Sequence, residues 1–85
     1  MTARANDADV KNEVAAVLAV ILEVPREAIS DGFSPDDCET WDSVRHLRLV
    51  LAIEERFGVT FDEAEIEHLT SLRAILDALE KRLAG

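Results

Sequence analysis

The sequence predicts an all-α protein, a four-helix bundle of three long helices and one short third helix, with a long loop between helices one and two. Three observations carry that prediction. Apolar residues recur at three- and four-residue spacing in three separate stretches. A short acidic segment between the second and third of these has room for about two helical turns. Both prolines and the internal glycines fall between the periodic stretches, where they break helices.

Helix one is read from Val10, Val14, Val17, Leu18 and Ile21, which share one face. Asp7 and Asp9 favour its start through the helix dipole, and Pro25 stops it soon after Leu22. Residues 1–7 are expected to form a flexible N-terminal tail. Periodicity then disappears from Val24 to Asp42, where Pro25, Gly32 and Pro35 mix with serines and aspartates. A loop of this length is uncommon in a compact domain and is usually functional or disordered. Ile29, Phe33 and Trp41 are spaced through it as anchors to the core, so the expectation is an ordered loop with one short turn at Arg26–Ile29. Ser43 to Phe57 reads as helix two, with Gly58 as its C-cap. Val59-Thr60-Phe61 is a short extended link, and Asp62 to Leu69 is the third helix, too brief to persist without packing. Thr70 or Ser71 caps helix four, whose stripe is Leu72, Ile75, Leu76, Leu79 and Leu83; Lys81 and Arg82 in its last turn suit the dipole.

Across 85 residues, 9 Lys+Arg stand against 18 Asp+Glu, a net charge of −9. That excess opposes nucleic-acid binding, which needs cations to displace phosphate counterions, and it opposes docking on anionic lipid. The partners expected are proteins with basic surfaces. The longest apolar run, Val14 to Leu22, lies between Glu13 and Glu23 and is about half a membrane span. The N-terminus has no hydrophobic signal core. Cys38, the single cysteine, cannot form an internal disulfide and suits a reducing compartment. The expectation is a monomeric cytoplasmic protein, a single domain over residues 1–85.

Helix two has more apolar faces than one interior needs. Stepping about 100° per residue from Ser43, the residues Leu49, Val50, Ile53 and Phe57 fall between about 240° and 340°. Val44, Leu47 and Leu51 fall at about 40° to 100°, on a different face rimmed by Arg45, Arg48, Glu54 and Glu55. Either helix two is central and buries both stripes, or the second stripe is a docking surface. At its N-terminus stand Asp42 and Ser43. Taken alone, each is an ordinary N-cap residue. A helix N-terminus also stabilises an attached anion such as a phosphodiester, so a serine there, beside an apolar stripe, suits modification by another enzyme.

Trp41-Asp42-Ser43-Val44-Arg45-His46-Leu47, followed by Leu49-Val50-Leu51-Ala52-Ile53-Glu54-Glu55-Arg56-Phe57-Gly58-Val59, resembles the acyl carrier proteins, whose hallmark is Asp-Ser-Leu opening the second helix ahead of an apolar run into Glu-Glu-x-Phe. The resemblance extends from helix one through Leu83. It implies a four-helix bundle of the acyl-carrier type and a carrier in place of an enzyme. The serine matching Ser43 is, in that family, esterified with 4′-phosphopantetheine from coenzyme A by a phosphopantetheinyl transferase. The thiol of the arm then holds acyl or aminoacyl groups as thioesters, loaded by a ligase or transferase and consumed by synthase enzymes. Asp42 matches the aspartate expected to support transferase recognition, and Val44, Leu47 and Leu51 match exposed positions that partner enzymes contact.

This chain also departs from the family's common pattern. Glu39-Thr40-Trp41 replaces small residues before Asp-Ser, Val44 stands where Leu is usual, and Arg45 and Arg48 occupy positions often acidic in the carriers of central fatty-acid synthesis. These departures favour a specialised carrier serving a secondary-metabolite, polyketide, lipid-modifying or aminoacyl pathway, with Arg45 and Arg48 tuning partner choice. An unmodified helical adaptor, keeping the docking stripe without the arm, is the alternative. His46, one turn past Ser43, reads first as a polar residue at the core boundary, with contact to the arm or its cargo as the other reading. Trp41 reads as a packing anchor whose N–H finds a partner. Cys38 is expected to be solvated in the loop. Asp31 to Asp37 superficially resembles a calcium loop, but Phe33 and Pro35 hold positions that need oxygen ligands. His46, His68 and Cys38 lack the spacing of a zinc site.

Overall fold

The computed structural model describes residues 7–84. They form four helices and no strand: α1 (Asp7–Leu22), α2 (Ser43–Phe57), α3 (Glu63–Ile66) and α4 (Leu72–Ala84). The tail expected over residues 1–7 lies outside the described residues, apart from Asp7, which opens α1. Helix α1 packs against both α2 and α4. Val10, Val14, Ala15, Leu18 and Leu22 of α1 meet Leu49, Val50 and Ile53 of α2 and Leu72, Ile75, Leu76 and Leu79 of α4 in one buried cluster. Phe57 packs against that cluster only in part. Leu83, expected on the α4 stripe, is half exposed, because the helix outruns the core in its last turn.

The long loop is ordered, and its anchors go where their spacing suggested: Ile29, Phe33 and Trp41 are all buried. It holds two short 3-10 turns, Arg26–Ala28 as expected and a second at Pro35–Asp37. Ser34 makes the second one with a capping box, accepting from the Asp36 N–H while its own N–H donates to Asp37. Cys38 is buried, where a solvated thiol was expected. The loop folds inward at this point because the Thr40 hydroxyl donates to the Leu22 carbonyl at 2.6 Å. With its only proton so committed, the hydroxyl oxygen accepts from the Cys38 thiol at 3.1 Å.

The loop also satisfies helix ends that would otherwise be orphaned. At the end of α1, Glu23 takes the left-handed conformation at φ 59, and the Val24 N–H returns to the Ala19 carbonyl at 3.1 Å. At the start of α4, the carbonyls of Phe33 and Asp31 accept from the N–H groups of Leu72 and Arg73, while Ser71 Oγ accepts from Ala74. Ser71 is thus the side-chain cap of α4, and Thr70 is exposed. Helix α2 ends at Gly58, whose φ of 67 supplies the left-handed cap. Helix α3 is one turn where two were expected: the N–H groups of His68 and Leu69 bond three residues back, tightening the chain so that Leu69 enters the core.

Two ionic clamps hold the peripheral parts. Asp31 in the loop receives Lys11 from α1 at 2.6 Å and Arg73 from α4 at 3.2 Å. Arg82 of α4 reaches back to Glu65 in α3 and to the Thr60 carbonyl, with its guanidinium 5.4 Å from the Phe61 ring centre. The hydrogen bonds from Lys11 and then Arg73 lower the Asp31 carboxyl below its ordinary 3.8. The Asp62 backbone N–H, followed by the charge of Arg82, lowers Glu65 below 4.5. A carboxylate held low in the folded state adds stability above its unfolded value and loses it as pH falls through the folded one. Asp31→Asn should therefore reduce stability to denaturant at pH 7 and reduce it less at about pH 2, because the lowered carboxyl loses its contribution as pH falls through its folded-state value. Equal losses at both pH values would contradict the clamp.

Candidate functional site

The site is built outward from the end of the loop. Phe33 and Trp41 stack with ring centres 6.0 Å apart, and Trp41 stacks in turn against His46 at 6.1 Å. The indole N–H of Trp41 donates to His46 Nδ1 at 3.0 Å, and His46 Nε2 lies 2.7 Å from the Ile66 carbonyl of α3. Trp41 is thus a buried anchor with its polar atom satisfied, and His46 is a half-buried boundary residue joining three elements.

With Trp41 fixed, the next two residues have little freedom. Asp42 is extended, and its carboxylate accepts the Arg45 N–H at 2.9 Å, so Asp42 is the N-cap of α2. Ser43 is the first helical residue and is exposed. Capping, the simplest explanation of this serine, therefore does not account for it. Its hydroxyl stands in solvent at the positive end of a 15-residue helix. Among the described residues no acceptor is taken by the N–H groups of Ser43 and Val44. An anionic group attached at this oxygen meets open space and unpaired donors, so the residues fit a phosphodiester.

Beside the serine, Val44, Leu47 and Leu51 are 61 %, 55 % and 63 % exposed. Helix α2 does not bury both stripes. Truncating the buried Leu49 should cost about 2–5 kcal/mol. Surface positions away from packing usually change stability by less than about 0.5 kcal/mol. Folding stability therefore does not explain three exposed aliphatic side chains in a row.

The two arginines of the rim differ. Arg45 is half-buried and donates to the Ile21 carbonyl at 2.7 Å and to the Glu23 carboxylate at 3.2 Å, closing the end of α1. Arg48 is exposed, with no hydrogen-bond or ion-pair partner among the described residues. The two look alike in the sequence, and Val20, 73 % exposed on α1, stands outside the apolar stripes read there. Val20 lines an open groove of about 250 Å³ with Ala16, Val17, Ile21, Ala52 and Arg56. The available signal was that Val20 interrupts the spacing of the Val14, Leu18 and Ile21 face. Among the described residues no three His, Cys, Asp or Glu side chains gather as a metal site, and no helix is long and apolar enough to cross a membrane.

An exposed hydroxyl thus stands on a fixed helix end, flanked by apolar side chains that the fold does not need. Comparison with known proteins gives the family. The family model described as the phosphopantetheine attachment site matches residues 12–79. The chain is 29 % identical over 81 residues to an acyl carrier protein of Thermosynechococcus vestitus (strain NIES-2133 / IAM M-273 / BP-1), an alignment covering 94 % of this chain and 99 % of that relative. The chain belongs to the acyl carrier protein family, whose members are carriers and whose prosthetic group is phosphopantetheine.

The assignment of the cap to Asp42 has a direct consequence. Asp42→Ala should lower unfolding free energy by about 1 kcal/mol. Ser43→Ala should change it by less than about 0.5 kcal/mol. Urea titration of the two variants checks this, and a larger loss at Ser43 would reverse the assignment.

Proposed function

We propose that the chain acts as one carrier domain whose arm is attached at Ser43 Oγ, and that it presents acyl or aminoacyl groups to partner enzymes in a specialised biosynthetic pathway. The observation that carries this reading is the exposed, non-capping Ser43 at the start of α2. Once bound, the arm supplies a terminal thiol on which cargo is held as a thioester. The chain's own contribution is positional. Ser43 Oγ becomes the ester oxygen, and the N–H groups of Ser43 and Val44, unpaired among the described residues, face the phosphodiester charge. Asp42 holds that turn in helical register through the Arg45 N–H and offers its exposed carboxylate edge to the phosphopantetheinyl transferase. The tether converts delivery of cargo between enzymes into an encounter at high effective concentration.

Val44, Leu47 and Leu51 form the apolar centre of the docking face, and Arg48 lies at its edge. Loading ligases or transferases and downstream synthases would meet this face. Because Arg48 has no internal partner among the described residues, an incoming carboxylate gains its full attraction. Arg45 contributes mainly by fixing the α1–α2 corner, since its guanidinium is already engaged. A partner that reads a basic edge on α2 differs from one that reads an acidic edge, which supports a specialised pathway over central fatty-acid synthesis.

Intact-mass measurement after incubation with coenzyme A and a broad-specificity phosphopantetheinyl transferase should show a gain of one phosphopantetheine group, absent in Ser43→Ala. No gain with several transferases would favour an unmodified adaptor. For docking, Arg48→Glu should slow cargo transfer from the cognate loading enzyme by about fivefold to tenfold, an effect that shrinks as salt rises. Unchanged transfer rates would remove Arg48 from partner choice.

A further inference from the structure

The hydrogen-bond inventory around His46 determines its chemical form. An indole N–H donates and never accepts, so His46 Nδ1, 3.0 Å from Trp41 Nε1, carries a lone pair. A carbonyl oxygen accepts and never donates, so His46 Nε2, 2.7 Å from the Ile66 oxygen, carries the proton. One neutral tautomer alone satisfies both contacts. Through it, the loop residue two positions before Ser43 is tied to the α2 residue three positions after it, and both are tied to α3. The segment that presents Ser43 is therefore bracketed by a single side chain.

We propose that His46 is a positioning residue for the modification of Ser43, acting through Trp41 and α3 without touching the reacting atoms. This rests on the reading that Ser43 carries the arm. A transferase must bind the Asp42–Ser43 segment in one geometry, and any freedom left in the free chain has to be removed on binding. With the bracket intact the segment is already ordered. Without it, the loop end and α3 move independently of the first turn of α2, and the cost falls on recognition while the chemical step, whose acid–base groups belong to the transferase, is unchanged. Glutamine preserves the pattern, with an amide oxygen to accept from the indole and an amide nitrogen to donate to the Ile66 carbonyl. Leucine preserves the bulk and neither bond.

The test uses the full unmodified chain. Nitrogen-15 NMR of the His46 ring near pH 8 should show a bare Nδ1 and a protonated Nε2, with a Trp41 indole N–H resonance that moves in His46→Leu. In steady-state modification assays, His46→Leu should raise the transferase KM for the chain by roughly fivefold to tenfold with kcat unchanged, while His46→Gln stays within about twofold of the native chain. Ile75→Val, a core change that leaves the bracket intact, should keep the native KM although it lowers stability. The proposal is overturned by a proton on Nδ1, by a native KM in His46→Leu, or by an equal KM rise in Ile75→Val. A native chain that accepts no phosphopantetheine overturns the attachment reading itself, a result distinct from a defect confined to His46→Leu.

Discussion

The indole of Trp41, buried against Phe33 and hydrogen-bonded to His46, fixes where the long loop ends, and the position of Ser43 follows from it. One residue later the chain must be extended for Asp42 to cap α2, and one residue after that Ser43 emerges at the first helical position with its side chain in solvent. A buried aromatic one step from the cap confines the backbone more tightly than the small residues common before Asp-Ser in this family. The exposed serine is thus held by buried contacts on either side of it.

The loop does more than connect. It lends the Thr40 hydroxyl to the end of α1, the carbonyls of Asp31 and Phe33 to the start of α4, and Asp42 to the start of α2. Three helix ends that water would otherwise have to satisfy are closed by one segment. With the Asp31 clamp to Lys11 and Arg73, this explains how a stretch of some twenty residues with little regular structure stays ordered in so small a domain. It also accounts for the burial of Cys38, which is drawn in by its neighbour Thr40.

Much of this is legible in the sequence. The 3.6-residue stripes located the three long helices, and the surplus stripe of Val44, Leu47 and Leu51 on α2 was correctly read as too much apolar surface for one interior. The anchors Ile29, Phe33 and Trp41 stood out because large apolar residues are scarce in that stretch. What sequence could not give depends on which distant groups meet. Arg45 and Arg48 look alike as a pair, yet only Arg45 lies within reach of the Ile21 carbonyl and Glu23. Ser43 and Asp42 are both good caps, and the choice was made by a backbone angle. The second turn of α3 was lost to the pull of Leu69 into the core.

The central claim is that a rigid loop end delivers an exposed serine, so that attaching an arm there leaves the bundle as it was. Backbone amide chemical shifts of the chain with and without phosphopantetheine test this directly. Changes should be confined to residues 41–47 and the adjoining exposed face of α2, with Leu18, Leu49, Ile53 and Leu79 in place. Shifts spread through those core residues would contradict it, since the arm would then be reorganising the interior.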